Sequence, residues 1–284
     1  MNIDRVEGFT DWPTGTDLRG YRCVPDVPLA VVLVLHGFGE YAGRHATTMR
    51  AWAARGIAAY AYDHRGHGHS PGERAEVERF DDLVTDSLAI RDRVAAEHPA
   101  LALFLFGVSM GGVVAVRSVQ RRGDGVRGVV LLAPAFAAAE HIPPLARRIL
   151  RGVRKIAPKL KLQSLEFSKL SRDPAVGEAY RNDPLTYHSG VSISSGIEIV
   201  DAGEAAVADA GNYTVATLLL QGDADEIAFP IGATRFARAA TNNSDLTHTI
   251  VTGGYHELFN DPGGTALAAS AADWMLARVS SQAI

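Results

Sequence analysis

A serine with a glycine two residues to either side, Gly107-Val108-Ser109-Met110-Gly111, follows directly on the apolar run ALALFLF at 100–106. A run of that length predicts a buried parallel strand. The small apolar residues behind it, Gly111 to Val116, predict the start of a helix packed on a sheet. Strand, G-x-S-x-G, helix is the pattern of a nucleophile elbow, a turn tight enough to strain the serine backbone and expose its hydroxyl. The chemistry open to Ser109 is acyl transfer, provided that a base and an acid orienting the base are brought to it.

Both partners are expected late in the chain, on loops following strands, in the order acid then histidine. The apolar segment at 216–222 ends in Asp223-Ala224-Asp225, and the segment at 248–251 runs into Gly253-Gly254-Tyr255-His256. We assign the acid to Asp225 and the base to His256. Asp223 competes for the first role, although a local side-chain bond closing the turn also accounts for it. His248 competes for the second, but it lies inside a strand pattern. An oxyanion needs backbone donors: Met110 N–H follows the nucleophile, and Phe38 N–H lies in His36-Gly37-Phe38-Gly39-Glu40, the loop after the strand at 28–35. His36 is expected to brace that loop by hydrogen bonding.

The segment Asp63 to His69 places His64, His67 and His69 close together, as a metal cluster would. Its position after a strand favours a structural loop instead. The glycine pairs 37/39 and 66/68 do not extend to a dinucleotide motif. No metal and no cofactor are expected.

These side chains need a scaffold that presents strand ends along one edge. Strands are expected at 28–35, 57–62, 102–107, 128–134, 216–222 and 247–252, with less distinct ones before residue 25. Helical patterns fall at 44–55, 79–97, 110 to about 123, and 265–279. Strands alternating with helices predict a parallel sheet covered on both faces. With 284 residues, 47% of them hydrophobic, the chain can bury such a core. The lone Cys23 excludes a disulfide framework. No apolar h-region opens the chain and no apolar run nears the ~20 residues of a membrane span, so a cytoplasmic protein, at most peripheral to a membrane, is expected.

The rhythm breaks after 134, with no convincing strand until about 215. Within that gap Ile142, Leu145, Ile149, Val153, Ile156 and Leu160 recur at helical spacing. Seven Lys and Arg residues against Glu140 give 137–165 a net charge of +6, whereas the whole chain carries −4. Residues 142–161 are therefore expected to form one basic amphipathic helix, able to touch an anionic lipid surface transiently. Its apolar face, with Phe136 and Phe167, is expected to line an acyl tunnel. Net acidity and the absence of interleaved aromatics argue against nucleic acid.

HGFGEYAGRH (36–45), YDHRGHGHS (62–70), GVSMGG (107–112), SRDPAVGEAYRNDPL (171–185), QGDADEIAFP (221–230) and GGYHELFND (253–261) together resemble the monoacylglycerol lipase branch of the α/β-hydrolases. The resemblance extends from about residue 20 to the C-terminal helix. It implies an α/β-hydrolase core, 1–136 and 214–284, with an inserted cap at 137–213. It implies Ser109, Asp225 and His256 as triad, Phe38 and Met110 as oxyanion donors, and Glu178 and Tyr180 near the glycerol end of a monoacylglycerol. Glu40 and Arg44, four apart at a helix start, are expected to pair. Phe259 stands where some relatives carry a second histidine, which bears on alcohol preference. A lysophospholipase or broad carboxylesterase would share the triad, and a hydrolase-fold receptor with little turnover is the alternative from another class. Oligomeric state is not legible.

Overall fold

The computed structural model describes residues 10–162 and 166–279. Eight strands form one sheet: β1 (Thr10–Pro13), β2 (Arg19–Cys23), β3 (Ala30–Leu35), β4 (Ile57–Tyr62), β5 (Ala102–Val108), β6 (Val126–Leu132), β7 (Ala216–Gly222) and β8 (Leu246–Val251). Their order across the sheet is β1-β2-β4-β3-β5-β6-β7-β8. The β1–β2 and β2–β4 pairings are antiparallel and the rest are parallel.

The central strands read as unbroken apolar runs because both faces are covered. Val31, Leu33 and Leu35 of β3 point into one core, joined by Leu105, Val129 and Leu219. The alternate residues Val32 and Val34 enter the other, with Phe104, Phe106 and Val130. The helices divide accordingly. α2 (Phe80–Glu97) and α3 (Met110–Arg121) feed the first core. α1 (Ala46–Ala53) and α8 (Gly264–Ala277) feed the second. The edge strand β8 alternates half-buried and exposed residues over its first four positions, as a strand covered on one face should.

Between β6 and β7 the chain inserts α4 (Pro144–Arg154), α5 (Pro174–Asn182) and α6 (Ile193–Ala208), before α7 (Pro230–Ala239) bridges β7 and β8. Asp173 caps α5 by accepting from Ala175 N–H at 3.0 Å, and Pro174 supplies the preset first helical residue. Ser192 caps α6 through Ser195 N–H at 3.0 Å. α6 is not a detached lid element, since Ile199 and Ala206 belong to the core over α3.

The expected long helix at 142–161 is shorter: α4 stops at Arg154, and Pro158 follows. None of its residues is buried. Leu145 is 70% exposed and Ile149 58%, while Ile156 beyond the helix reaches 88%. Leu145, Ile149, Ile156 and Leu160 therefore face outward, and of the expected stripe only Ile142 reaches the cavity described below. Three of the cations lie on the other side: Arg147 pairs with Glu204, Arg151 with Asp201 and Arg154 with Glu198, three carboxylates one helical turn apart on α6. No helix among the described residues is long and apolar enough to cross a membrane.

Candidate active site

Ser109 stands between β5 and α3 with φ 52° and ψ −118°, a strained conformation for any residue with a Cβ. The flanking glycines permit the close approach this needs. A Cβ on Gly111 would lie 2.1 Å from Leu35 O, and one on Gly107 would lie 2.5 Å from Gly111 O. Met110 opens α3, so its N–H belongs to the first turn, where a helix has no internal acceptor.

Asp225 lies just beyond β7 and His256 just beyond β8, both buried. His256 Nδ1–H donates to Asp225 Oδ2 at 2.9 Å; a carboxylate can only accept, which fixes the proton on that nitrogen. Asp225 also accepts from Ile227 N–H at 2.8 Å, Ala228 N–H at 2.9 Å and Gln221 Nε2 at 3.0 Å. Burial alone would depress the His256 imidazole, but the Asp225 charge and hydrogen bond outweigh it and hold its pKa above the ordinary 6.5. Asp223 instead accepts from Gly253 N–H at 2.6 Å, tying two turns together. His248 sits in β8 opposite Leu219 and away from the cavity.

The loop after β3 is built from side chains on three segments. His36 Nδ1–H donates to Gly37 O at 2.7 Å, and its Nε2 accepts from His64 N–H at 2.9 Å. His64 and His67 pack against His36, with ring centroids 4.3 and 5.3 Å away. Burial keeps the three neutral, lowering His64 to about 3 and His67 to about 4. His69 is exposed, so the histidines at 64, 67 and 69 do not converge. Their loop is instead organised by Asp63, which accepts from Ala42 and His69 N–H at 2.9 and 2.8 Å. Gly37 N–H is engaged by Glu40 Oε1 at 2.6 Å, and Phe38 follows it at the cavity wall.

One cavity of about 300 Å³ gathers Ser109, Met110, Phe38, His256 and Tyr180. Its length is apolar, with Ile142, Leu150, Ile193, Ile197 and Ile227 among the walls. Glu40, Arg44 and Glu257 join Tyr180 on the lining, while Arg147, Arg151 and Asp201 contribute polar groups from α4 and α6.

Four residues singled out in the sequence lie off this cavity. Glu178 is exposed and lies off the cavity, because two residues along α5 from Tyr180 is more than half a helical turn away. Phe136 stacks on Phe236 at 4.7 Å within the core, and Phe167 stacks on Tyr180 at 5.0 Å behind the wall. Phe259 stacks on Phe106 at 5.4 Å, packed against the second core and off the cavity wall. Sequence reasoning also missed Gln221 and Glu257. Glu257 adjoins His256, yet its partner Arg44 is 213 positions distant, and no local pattern announces such a pair.

A family model described as serine aminopeptidase S33 matches residues 26–263. Human monoglyceride lipase is 34% identical over 253 residues, which cover 88% of this chain and 78% of that protein. The chain belongs to the monoacylglycerol lipase-like α/β-hydrolases. A monoacylglycerol lipase of Mycolicibacterium smegmatis is 29% identical over 92% of this chain and 95% of its own length. The crystal structure of the Paleococcus ferrophilus monoacylglycerol lipase superposes with a TM-score of 0.80 at 30% identity, covering 93% of this chain and all of that one. The eight-stranded, mostly parallel sheet is the α/β-hydrolase fold of this branch.

Proposed function

We propose that this ester hydrolase cleaves monoacylglycerols to fatty acid and glycerol, with Ser109 as nucleophile, His256 as base and Asp225 as its orienting acid. The single observation that carries the proposal is the buried Asp225–His256 pair at 2.9 Å, on the same cavity as a serine in elbow geometry. His256 Nε2 takes the Ser109 proton as Oγ attacks the ester carbon. Phe38 and Met110 N–H groups hold the oxyanion, and glycerol leaves with the proton returned by His256. Water activated by the same imidazole then releases the fatty acid from Ser109. The apolar length of the cavity suits an acyl chain, and Tyr180 with its charged neighbours stands at the alcohol end.

The segment between β6 and β7 acts in this reading as a cap that limits access and excludes water. Its outward face, Leu145, Ile149, Ile156 and Leu160 beside the exposed Arg148 and Lys155, supports transient seating on a lipid surface that holds the substrate. Rates on monoolein, lysophosphatidylcholine and p-nitrophenyl butyrate, with wild type and Ser109→Ala, test the function. Turnover of monoolein that vanishes with Ser109→Ala supports it. Preference for lysophosphatidylcholine, or indifference to monoolein, refutes the substrate, and hydrolysis surviving in Ser109→Ala refutes the nucleophile.

A further inference from the structure

Two loops on the cavity that holds Ser109 are joined, among the described residues, by a buried side chain. Arg44 lies in the short helical turn Ala42–His45 that follows the loop carrying Phe38. Its Nη1 and Nη2 donate to Glu257 Oε1 and Oε2 at 2.7 and 2.9 Å, the two-point geometry in which a guanidinium fixes a carboxylate most firmly. Nη1 also donates to Glu40 Oε2 at 3.1 Å. Glu40 in turn holds Gly37 N–H, so the chain of contacts reaches the residue preceding Phe38. Glu257 is the residue after His256; its N–H donates to Leu170 O at 2.7 Å, and its Oε2 accepts from Asn260 Nδ2 at 2.8 Å. The Tyr180 ring covers the guanidinium at 4.6 Å, shielding it from water on that side.

We propose that Arg44 and Glu257 form a positioning clamp that sets the distance between the oxyanion loop and the histidine loop, and so acts on the ester bond whatever alcohol leaves it. The inference rests on the proposed roles of Ser109, His256 and Phe38. It differs from a role in gripping glycerol, which the same polar groups on the cavity wall could also serve. A glycerol grip strengthens binding of one alcohol. A clamp places the imidazole and the Phe38 N–H correctly for any ester, so its loss appears in kcat. The two carboxylates of this cluster are not equivalent. Glu40 is local to the oxyanion loop, whereas Glu257 alone ties Arg44 to the histidine loop.

The test compares Glu257→Gln and Glu257→Asp with wild type on monoolein and on p-nitrophenyl butyrate, which has no glycerol. The glutamine keeps the shape and loses the charge; the aspartate keeps the charge and cannot span the same distance. The clamp requires kcat to fall about 10–100-fold on both esters for Glu257→Gln, with KM within about twofold. Fluorophosphonate labelling of Ser109 should slow in parallel, and Glu257→Asp should recover part of the loss. Each rate is referred to the folded fraction measured by near-ultraviolet circular dichroism, so a variant that is merely unstable is not mistaken for a slow one. A rise in KM confined to monoolein, with unchanged kcat on the butyrate, overturns the clamp in favour of alcohol binding. Hydrolysis persisting in Ser109→Ala would instead remove the catalytic reading beneath it.

Discussion

Two groups of arginine–carboxylate pairs flank the same cavity and differ in almost everything except chemistry. Around Arg44 the participating side chains of Arg44, Glu40 and Glu257 are 12%, 8% and 10% exposed. Between α4 and α6 the pairs of Arg147 and Arg151 are open to solvent on at least one side, and that of Arg154 is half-buried. Buried charges that lose a partner have no water to replace it, so their pairing decides whether the local structure persists. Exposed pairs exchange readily with water and salt and contribute ~1 kcal/mol at most. The comparison teaches that the helix with more ion pairs is the more weakly held. α4 has no buried residue, and its attachment depends on contacts that solvent can substitute.

The largest expected effect lies on the buried side, at Asp225, the proposed acid. Asp225→Asn should lower kcat by about 10⁴, following the behaviour of other serine triads. The wild-type kcat/KM should fall on the acid side with a midpoint above 6.5, because Asp225 stabilises the His256 cation. In the asparagine variant that midpoint should move downward, and an unmoved acid limb would detach Asp225 from His256.

Next in size is the loss of Arg44. Arg44→Met strands two buried carboxylates and should destabilise the fold by about 3–5 kcal/mol in urea unfolding. A change below about 1 kcal/mol would place the Arg44 cluster with the surface pairs and erase the contrast.

A third set of buried groups is uncharged, and acid should charge it. His36, His64 and His67 are depressed by burial, the latter two to about 4 or below, whereas in the unfolded chain they take up protons near 6.5. The unfolded state therefore binds more protons between those limits. Stability should be fully present above pH 6.5 and decline toward pH 4, by up to about 1.4 kcal/mol per pH unit for each such histidine. Equal urea midpoints at pH 7 and pH 4.5 would contradict this. The smallest effect belongs to α4: Arg151→Gln should change global stability by less than ~1 kcal/mol, while amide hydrogen exchange within 144–154 accelerates. Unchanged exchange would show that the α6 carboxylates do not hold the helix.

The parts of this molecule readable from its sequence are those with short-range causes. β3 and β5 are evident because both faces of each strand are covered, leaving uninterrupted apolar runs. Ser109, Asp225 and His256 each stand in a local context, a glycine-framed turn or a loop after a strand, that marks them individually. α7 was not read from the sequence, although Pro230 at its first position is a recognisable helix start. The orientation of α4 is not legible for a different reason. Helical spacing gives a stripe but not its direction: Arg147, Arg151 and Arg154 meet three carboxylates on α6, while Leu145 and Ile149 face out. Glu178 fails similarly: its neighbour Tyr180 is buried, and helix geometry sends the two apart.

Among the described residues, two hydrogen bonds join the segment between β6 and β7 to the loop after β3: Tyr187 N–H donates to Gly39 O at 2.8 Å, and Tyr41 Oη–H donates to Asp183 at 2.6 Å. This makes the segment a poor interchangeable module. A chimaera carrying a relative's 137–213 in place of its own would exchange part of the scaffolding of residues 36–41 along with part of the apolar cavity wall. Grafts made to alter chain-length preference should therefore transfer both stretches as a matched set.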